Sequence, residues 1–140
     1  MKALMLLCDY AEELGGKLYV MGGGWSRIIP NPPINMALAI KLSIPWNETN
    51  RPHDITVRLV NEDHEPIQNE EGQDIGLAGR IEVGRPPGVR PGSNQDAPLA
   101  LRFQGLPLEP GPYVWELLVD GNMLESATFE VLPPGMAPPM

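Results

Sequence analysis

The 140-residue sequence has few of the residues that metal and redox chemistry require. It contains one cysteine, Cys8, so no disulfide can form within the chain. It contains two histidines, His53 and His64, whereas zinc sites are built mostly from cysteine and histidine. A zinc site of nitrogen and sulfur ligands is therefore not expected, and neither is a cofactor.

Basic residues are scarce as well, since 10 lysines and arginines stand against 18 acidic residues and give a net charge of -8. Proteins that bind nucleic acids neutralise phosphates with clustered lysine and arginine, and anionic membranes attract such clusters for the same reason. Here the basic residues are scattered along the chain. The composition predicts an acidic surface that resists association, with neither a nucleic-acid nor a membrane partner.

Long apolar runs are also missing, because no stretch approaches the ~18 apolar residues of a membrane-spanning helix. The segment Met1–Cys8 resembles a lipoprotein signal, but its apolar run is shorter than the ~7–15 residues that such signals use. Leu7 also stands where a small residue should precede a modified cysteine. We interpret the run as a first strand in which Cys8 is a small hydrophobic residue, and we expect a cytoplasmic protein.

Glycine and proline are abundant, at 15 and 17 residues. Outside the last eight residues they fall mainly between apolar runs, as expected at strand ends and turns. Internal prolines also oppose helices, because each one removes a helix hydrogen bond and clashes with the preceding turn. We predict a single domain at residues 1–132 and a flexible proline-rich tail at 133–140.

Apolar residues alternate with a period of two in several segments, which is the pattern of half-buried strands. In residues 35–44 the apolar face is formed by Met36, Leu38, Ile40, Leu42 and Ile44. Residues 2–9 form a continuous apolar run instead, which is typical of a strand buried on both faces. Only Tyr10–Leu14 could begin a helix. Near the C-terminus, Asp120-Gly121 is a favoured type I′ turn, and the strand after it directs Phe129 inward.

About eight short strands separated by turns predict an all-β fold, specifically an antiparallel β-sandwich. A β-barrel is the alternative.

Several stretches carry a family resemblance: Leu6–Ala11, Gly16–Trp25, Val83–Gly88, Pro110–Trp115 and Val119–Gly121. They resemble a family of small bacterial proteins, of about 140 residues, whose function is unknown. The element Gly22-Gly23-Gly24-Trp25 is the most distinctive part, and the resemblance extends to about residue 132. It implies a stand-alone β-sandwich-like domain, and it implies no activity or catalytic residue.

The glycine run does not fit a phosphate-binding loop, because Arg27 replaces the last glycine of the dinucleotide pattern and prolines follow where a helix should begin. We interpret it as a bend between strands, with Trp25 packed over the glycines or exposed at a binding edge. In an antiparallel fold alternate loops share one end. We therefore expect the acidic residues Glu62, Asp63 and Glu65, which are weak candidates for a calcium site, to lie near Trp25 and Arg27.

No serine, histidine or cysteine pattern indicates nucleophilic catalysis, and a hydrolase is the least favoured interpretation. The other end of the fold should gather two loops, 46–53 and 84–96. Stiff proline-rich loops present side chains to partners at low entropic cost, and tryptophan and arginine are favoured interface residues. The candidate contact residues are Trp46, Arg51, Arg85 and Arg90 at this end, together with Trp25 and Arg27 at the other.

The interpretation that the sequence favours is a non-enzymatic interaction module acting through its loops or edge strands. Its partner is either another protein or a second copy of the chain. The alternative is a domain that binds a divalent cation or a small ligand at the acidic loop end.

Overall fold

The computed structural model describes residues 1–135, and they form two packed β-sheets. In chain order the strands are β1 Lys2–Leu14, β2 Lys17–Gly23, β3 Arg27–Ile28, β4 Ile34–Ile44, β5 Pro52–Val60, β6 Gly76–Glu82, β7 Gln95–Leu106, β8 Gly111–Val119 and β9 Asn122–Val131. One short 3₁₀ turn at Trp46–Glu48 is the only helical element of the described residues. Of the predicted tail at 133–140, residues 136–140 lie outside the described residues.

The first sheet has the strand order β2-β1-β4-β7, and the second has the order β3-β9-β8-β5-β6. Every neighbouring pair is antiparallel except β3 and β9. Neither sheet closes on itself, which confirms the all-β sandwich and excludes the barrel. The strand beyond the expected number is β3, whose two residues are too few to show a periodic pattern.

The core lies between the sheets and follows the alternation of the long strands. The even-numbered residues of β4 from Met36 to Ile44 are all buried, as predicted. They face buried residues of β5 and β8, and the Trp115 indole N–H donates to the Met36 sulfur at 3.3 Å. Phe129 is 3% exposed and stacks on Tyr113 at a centroid distance of 5.5 Å with the ring planes 22° apart, so its inward placement is confirmed.

Two expectations about the first strand are wrong. Tyr10–Leu14 is not a helix, because β1 continues through it to Leu14 and pairs with β2. The apolar run at its start is not buried on both faces either. Leu7 faces the core, whereas Leu4 and Leu6 on the opposite face are 67% and 38% exposed. A continuous apolar run therefore marks here a strand with one buried and one exposed apolar face.

No helix in the described part of the chain is long and apolar enough to cross a membrane.

Candidate interaction surface

The structure brings together the two loops that were expected at one end. The guanidinium carbon of Arg85 lies 3.9 Å from the ring centroid of Trp46. Arg85 also donates hydrogen bonds to the Trp46 carbonyl at 2.7 Å and to the Thr49 hydroxyl at 2.8 Å. Arg51 and Arg90 are exposed nearby in sequence, without joining this cluster. Trp46 and Arg85 therefore hold the loops to each other, and much of their binding capacity is used within the chain.

A histidine at this end ties the 3₁₀ turn to the β8–β9 turn. His53 is 2% exposed, and its Nδ1–H donates to Asp120 Oδ2 while its Nε2–H donates to the Glu48 carbonyl, each at 2.7 Å. Both ring nitrogens face acceptors, an arrangement that only the doubly protonated ring satisfies in full. The hydrogen bond to Asp120 and then that to Glu48 raise the pKa of His53, and the same partner lowers the pKa of Asp120.

At the opposite end, Arg27 and Glu62 line one open groove of about 310 Å³. This agrees with the expectation that the loop containing Glu62 and the segment containing Arg27 lie at the same end of the fold. Trp25 is instead partly buried and packs against the core, where its ring meets Phe129 edge-on at a centroid distance of 6.1 Å. Asp63 and Glu65 are exposed beside Glu62. Within residues 1–135 no three metal-binding side chains converge, so the geometry gives the calcium interpretation no support.

A buried carboxylate on the outer face of the second sheet escaped the sequence analysis. Glu116 is fully buried and accepts hydrogen bonds from Arg58 Nε at 2.7 Å and His64 Nδ1 at 2.8 Å. Burial alone would raise the pKa of Glu116, but these two donors hold it below its usual value. The triad joins β5, β8 and the loop after β5. No sequence signal marks it, because Glu116 lies 58 and 52 positions along the chain from Arg58 and His64.

The most exposed apolar surface lies on the hairpin formed by β1 and β2. Its turn is Gly15-Gly16, in which both residues have positive φ, as a type I′ turn requires. β1 pairs with β4 only as far as Cys8, and beyond that residue it pairs with β2 alone. The distal half of the hairpin therefore leaves the plane of the first sheet.

The hairpin bends at Gly22 and lies over the outer face of the first sheet. Gly22 has a φ of +62°, and a Cβ there would collide with the Asp9 carboxylate. Beneath the hairpin, small side chains of β4 and β7 leave room for it and pack with two of its residues: Ala37, Ala39 and Ala100 with Ala11 and Leu18. An open cavity of about 420 Å³ remains between the hairpin tip and the Lys41–Asp96 ion pair.

The face of the hairpin that points away from the sheet is largely apolar. Strand alternation places six residues on it: Tyr10, Glu12, Leu14, Lys17, Tyr19 and Met21. Met21 is 67% exposed, Leu14 62% and Tyr19 51%. Arg102 donates to the Tyr10 hydroxyl at 2.7 Å and fixes that ring at the base of the hairpin.

Seven of the nine large hydrophobic residues that are exposed in the described part of the chain belong to β1 or β2, and the other two are Leu77 and Met123. We call the outward face and the free edge of β2 together the hairpin surface. The sequence signal for it is the apolar stretch Leu18–Met21, in which neither parity is polar, between two groups of glycines. That signal also fits two-sided burial, which is why the surface was missed.

Comparison with known proteins identifies a family without a known activity. None of the curated proteins matches the chain. Among solved structures, the Pseudomonas fluorescens alkylpurine DNA glycosylase AlkC, bound to DNA containing an abasic site analog, is 18% identical over 77% of this chain. The match spans 28% of that chain with a TM-score of 0.40, and at that level it supports no argument about fold or function. The family resemblance of the sequence is confirmed, because a family model matches residues 3–132, and the chain belongs to the family of unknown function DUF6941.

Proposed function

We propose that the protein is a non-enzymatic interaction module that binds a protein partner through the hairpin surface. One observation carries the proposal: of the nine large hydrophobic side chains that are exposed in residues 1–135, four lie together on the outward face of this one hairpin, namely Tyr10, Leu14, Tyr19 and Met21. Contiguous exposed apolar patches are uncommon on monomeric proteins and mark interaction sites. Two tyrosines and one methionine lie on this face, and both residue types are enriched at protein interfaces.

The chemistry of the hairpin suits a protein partner better than a small ligand. Leu14, Tyr19 and Met21 project from a raised hairpin, whereas small molecules bind in concave pockets. β2 is also the outer strand of its sheet, so its outer backbone groups are available to an added strand. An extended segment of a partner would gain main-chain hydrogen bonds at the edge and apolar contacts on the outward face.

The loop-end residues predicted from the sequence provide the comparison for the test. Trp46 and Arg85 already contact each other, so truncating Trp46 should destabilise the two loops more than it weakens the binding of a partner. Leu14 and Met21 have no comparable role within the chain, because they are mostly exposed. The two regions therefore predict opposite consequences for binding and for stability.

The experiment compares affinity purifications from cells that naturally produce the protein, with bound proteins quantified by mass spectrometry. One bait carries Leu14→Ser and Met21→Ser, a second carries Trp46→Ala and Arg90→Ala, and the third is unaltered. We expect the hairpin variant to lose about tenfold or more of a protein that the other two baits retain, because interface anchors contribute ~1–2 kcal/mol each. Thermal unfolding verifies that every bait is folded. Equal recovery on the hairpin and unaltered baits would refute the proposal.

A further inference from the structure

Four strands border the two sheets, and three of them carry features that oppose the addition of another strand. β7 contains Pro98, which lacks a backbone donor, and β6 contains Arg80 and Glu82. β3 has only two residues. β2 differs from them all, because its single charge is Lys17 at its first position and the stretch Leu18–Met21 is uncharged and free of proline. Of the four edge strands, β2 is therefore the one that has no feature opposing the addition of another strand.

The hairpin register shows which backbone groups of β2 are free. Residues that flank a two-residue turn exchange both of their hydrogen bonds, and the pattern then alternates along the strands. Lys17 and Tyr19 therefore bond to β1 across from Leu14 and Glu12. The N–H and C=O groups of Leu18 and Val20 point away from β1, and no other backbone group of the described residues contacts them.

We propose that β2 pairs antiparallel with β2 of a second copy of the chain, in a register centred on Tyr19. This inference rests on the proposed function, since it names the partner of the same hairpin surface. In this register Leu18 of each copy lies opposite Val20 of the other, and the two residues exchange the hydrogen bonds that β1 does not use. The two copies are related by a two-fold axis, so one free edge satisfies the other.

The side chains are complementary in the same register. The two Tyr19 rings lie directly opposite each other, which is a favourable cross-strand aromatic pair. Lys17 of each copy lies opposite Met21 of the other, so the two ammonium groups are at opposite ends of the pairing and do not repel closely. On the sheet-facing side, Leu18 meets Val20. A foreign strand would have to supply this pattern independently, whereas a second copy has it by symmetry.

The overall charge gives the dimer a distinctive salt dependence. Each copy carries a net charge of -8, and the two negative fields repel at long range. Added salt screens that repulsion, and the contact itself contains no ion pair for salt to weaken. Association should therefore strengthen with salt. A strand pair of this length buries less than the ~1,200 Å² of a typical stable complex, so the dimer is expected to depend on concentration.

The test is a charge swap at Tyr19, which is 51% exposed and makes no core contact. Sedimentation equilibrium at increasing concentration should show the unaltered protein moving from 15.3 kDa toward twice that mass. Tyr19→Lys and Tyr19→Glu should each remain at the monomer mass, because like charges then lie opposite each other. An equimolar mixture of the two should recover the dimer. Ala78→Lys on the β6 edge is the matched control and should behave as the unaltered protein does.

Oxidative cross-linking gives a second measurement. The native Cys8 is fully buried, so an introduced cysteine is the only reactive thiol. Residues opposite each other in a non-hydrogen-bonded pair lie ~4.5 Å apart at Cα, which is within disulfide range. Tyr19→Cys should therefore form a covalent dimer on mild oxidation, and Met123→Cys at the distant β8–β9 turn should not.

Three outcomes would overturn the inference: an unaltered protein that remains monomeric at several concentrations, single charge variants that still dimerise, or a mixture that does not recover. If the protein is monomeric while the hairpin bait still loses a captured protein, the second copy is the wrong partner and the interaction module stands. If the hairpin bait loses nothing and the protein is also monomeric, both proposals fail.

Discussion

The β1–β2 and β8–β9 hairpins have the same kind of turn but different surroundings. Each has a two-residue turn with positive φ at both positions, Gly15-Gly16 in one and Asp120-Gly121 in the other. The β8–β9 hairpin lies inside its sheet between β3 and β5. The β1–β2 hairpin is at the border of its sheet and bends away from it.

The two turns are also fastened differently. Asp120 accepts hydrogen bonds from His53 and from the Asp54 N–H, and so ties its turn to β5. At the other turn, Glu13 accepts the Gly16 N–H at 3.3 Å, which is a contact within the hairpin itself. A type I′ turn thus determines that a hairpin forms, and its neighbours determine whether its apolar residues are buried. The β8–β9 hairpin is therefore part of the core, whereas the β1–β2 hairpin leaves large apolar side chains exposed.

The largest expected effect is the loss of stability caused by a core substitution in the β8–β9 hairpin. Phe129→Ala should lower the free energy of unfolding by ~3–5 kcal/mol, because it removes a buried ring that packs on Trp25 and Tyr113. Tyr19→Ala in the other hairpin should change it by less than ~0.5 kcal/mol in dilute solution. Urea unfolding followed by tryptophan fluorescence measures both. A loss below ~1 kcal/mol for Phe129→Ala would show that its face is not core.

A smaller effect is expected at the bend that separates the hairpin from its sheet. Gly22 and Gly24 both have positive φ, where any other residue costs ~1–2 kcal/mol. A Cβ at Gly24 meets nothing within 4 Å, whereas one at Gly22 meets the Asp9 carboxylate. Gly22→Ala should therefore destabilise the protein more than Gly24→Ala does.

The matched double variant isolates that contact. Adding Asp9→Ala to Gly22→Ala removes the carboxylate and leaves only the Cβ of residue 9, at 3.2 Å from the new methyl group, so it should bring the free energy of unfolding most of the way toward that of Gly24→Ala. If Asp9→Ala leaves the loss in free energy of unfolding caused by Gly22→Ala unchanged, the Asp9 side chain does not determine the bend. The bend that distinguishes this hairpin from the β8–β9 hairpin then has another origin.

The sequence predicted well whatever depends on periodicity. The alternation in β4 identified its inward face, because a polar face opposite an apolar one distinguishes exposure from burial. The Asp-Gly turn identified the β8–β9 hairpin. Prediction failed where both parities are apolar, as in Leu4–Leu7 and Leu18–Met21, since such a pattern is the same for a doubly buried strand and for a strand with an exposed apolar face. Only the presence or absence of a neighbouring layer decides between them.

The candidate site shows the same limit. The sequence predicted that Trp46 lies near Arg85 and that Arg27 lies near Glu62, because antiparallel topology determines which loops are adjacent. The pairing of Glu116 with His64, and the position of the hairpin over three alanines, depend on contacts between distant segments. Residue type and spacing do not encode those contacts.

The smallest expected effect is a pH dependence that loosens one turn and leaves the other unchanged. The folded state raises the pKa of His53 above its unfolded value of ~6.5, so it binds that proton more tightly than the unfolded chain does. This contribution to stability is complete below pH ~6.5 and is lost as the pH rises through the raised pKa of His53. The effect is small because Asp120 is 47% exposed and water screens the pair.

Hydrogen exchange compared between the two turns tests this directly. Raising the pH above the pKa of His53 removes the charge of the ring and leaves one N–H for two acceptors, so the ties to Asp120 and Glu48 should weaken and the Asn122 amide should exchange faster than the intrinsic rise with pH alone explains. The Gly16 amide should show only the intrinsic rise, because the contact that holds it runs to the Glu13 side chain within the same hairpin and involves no histidine. Asp120→Asn retains a turn-forming side chain without its charge, and should abolish the pH-dependent difference between the turns. Persistence of that difference in Asp120→Asn would show that the His53 ion pair is not what fastens the β8–β9 turn.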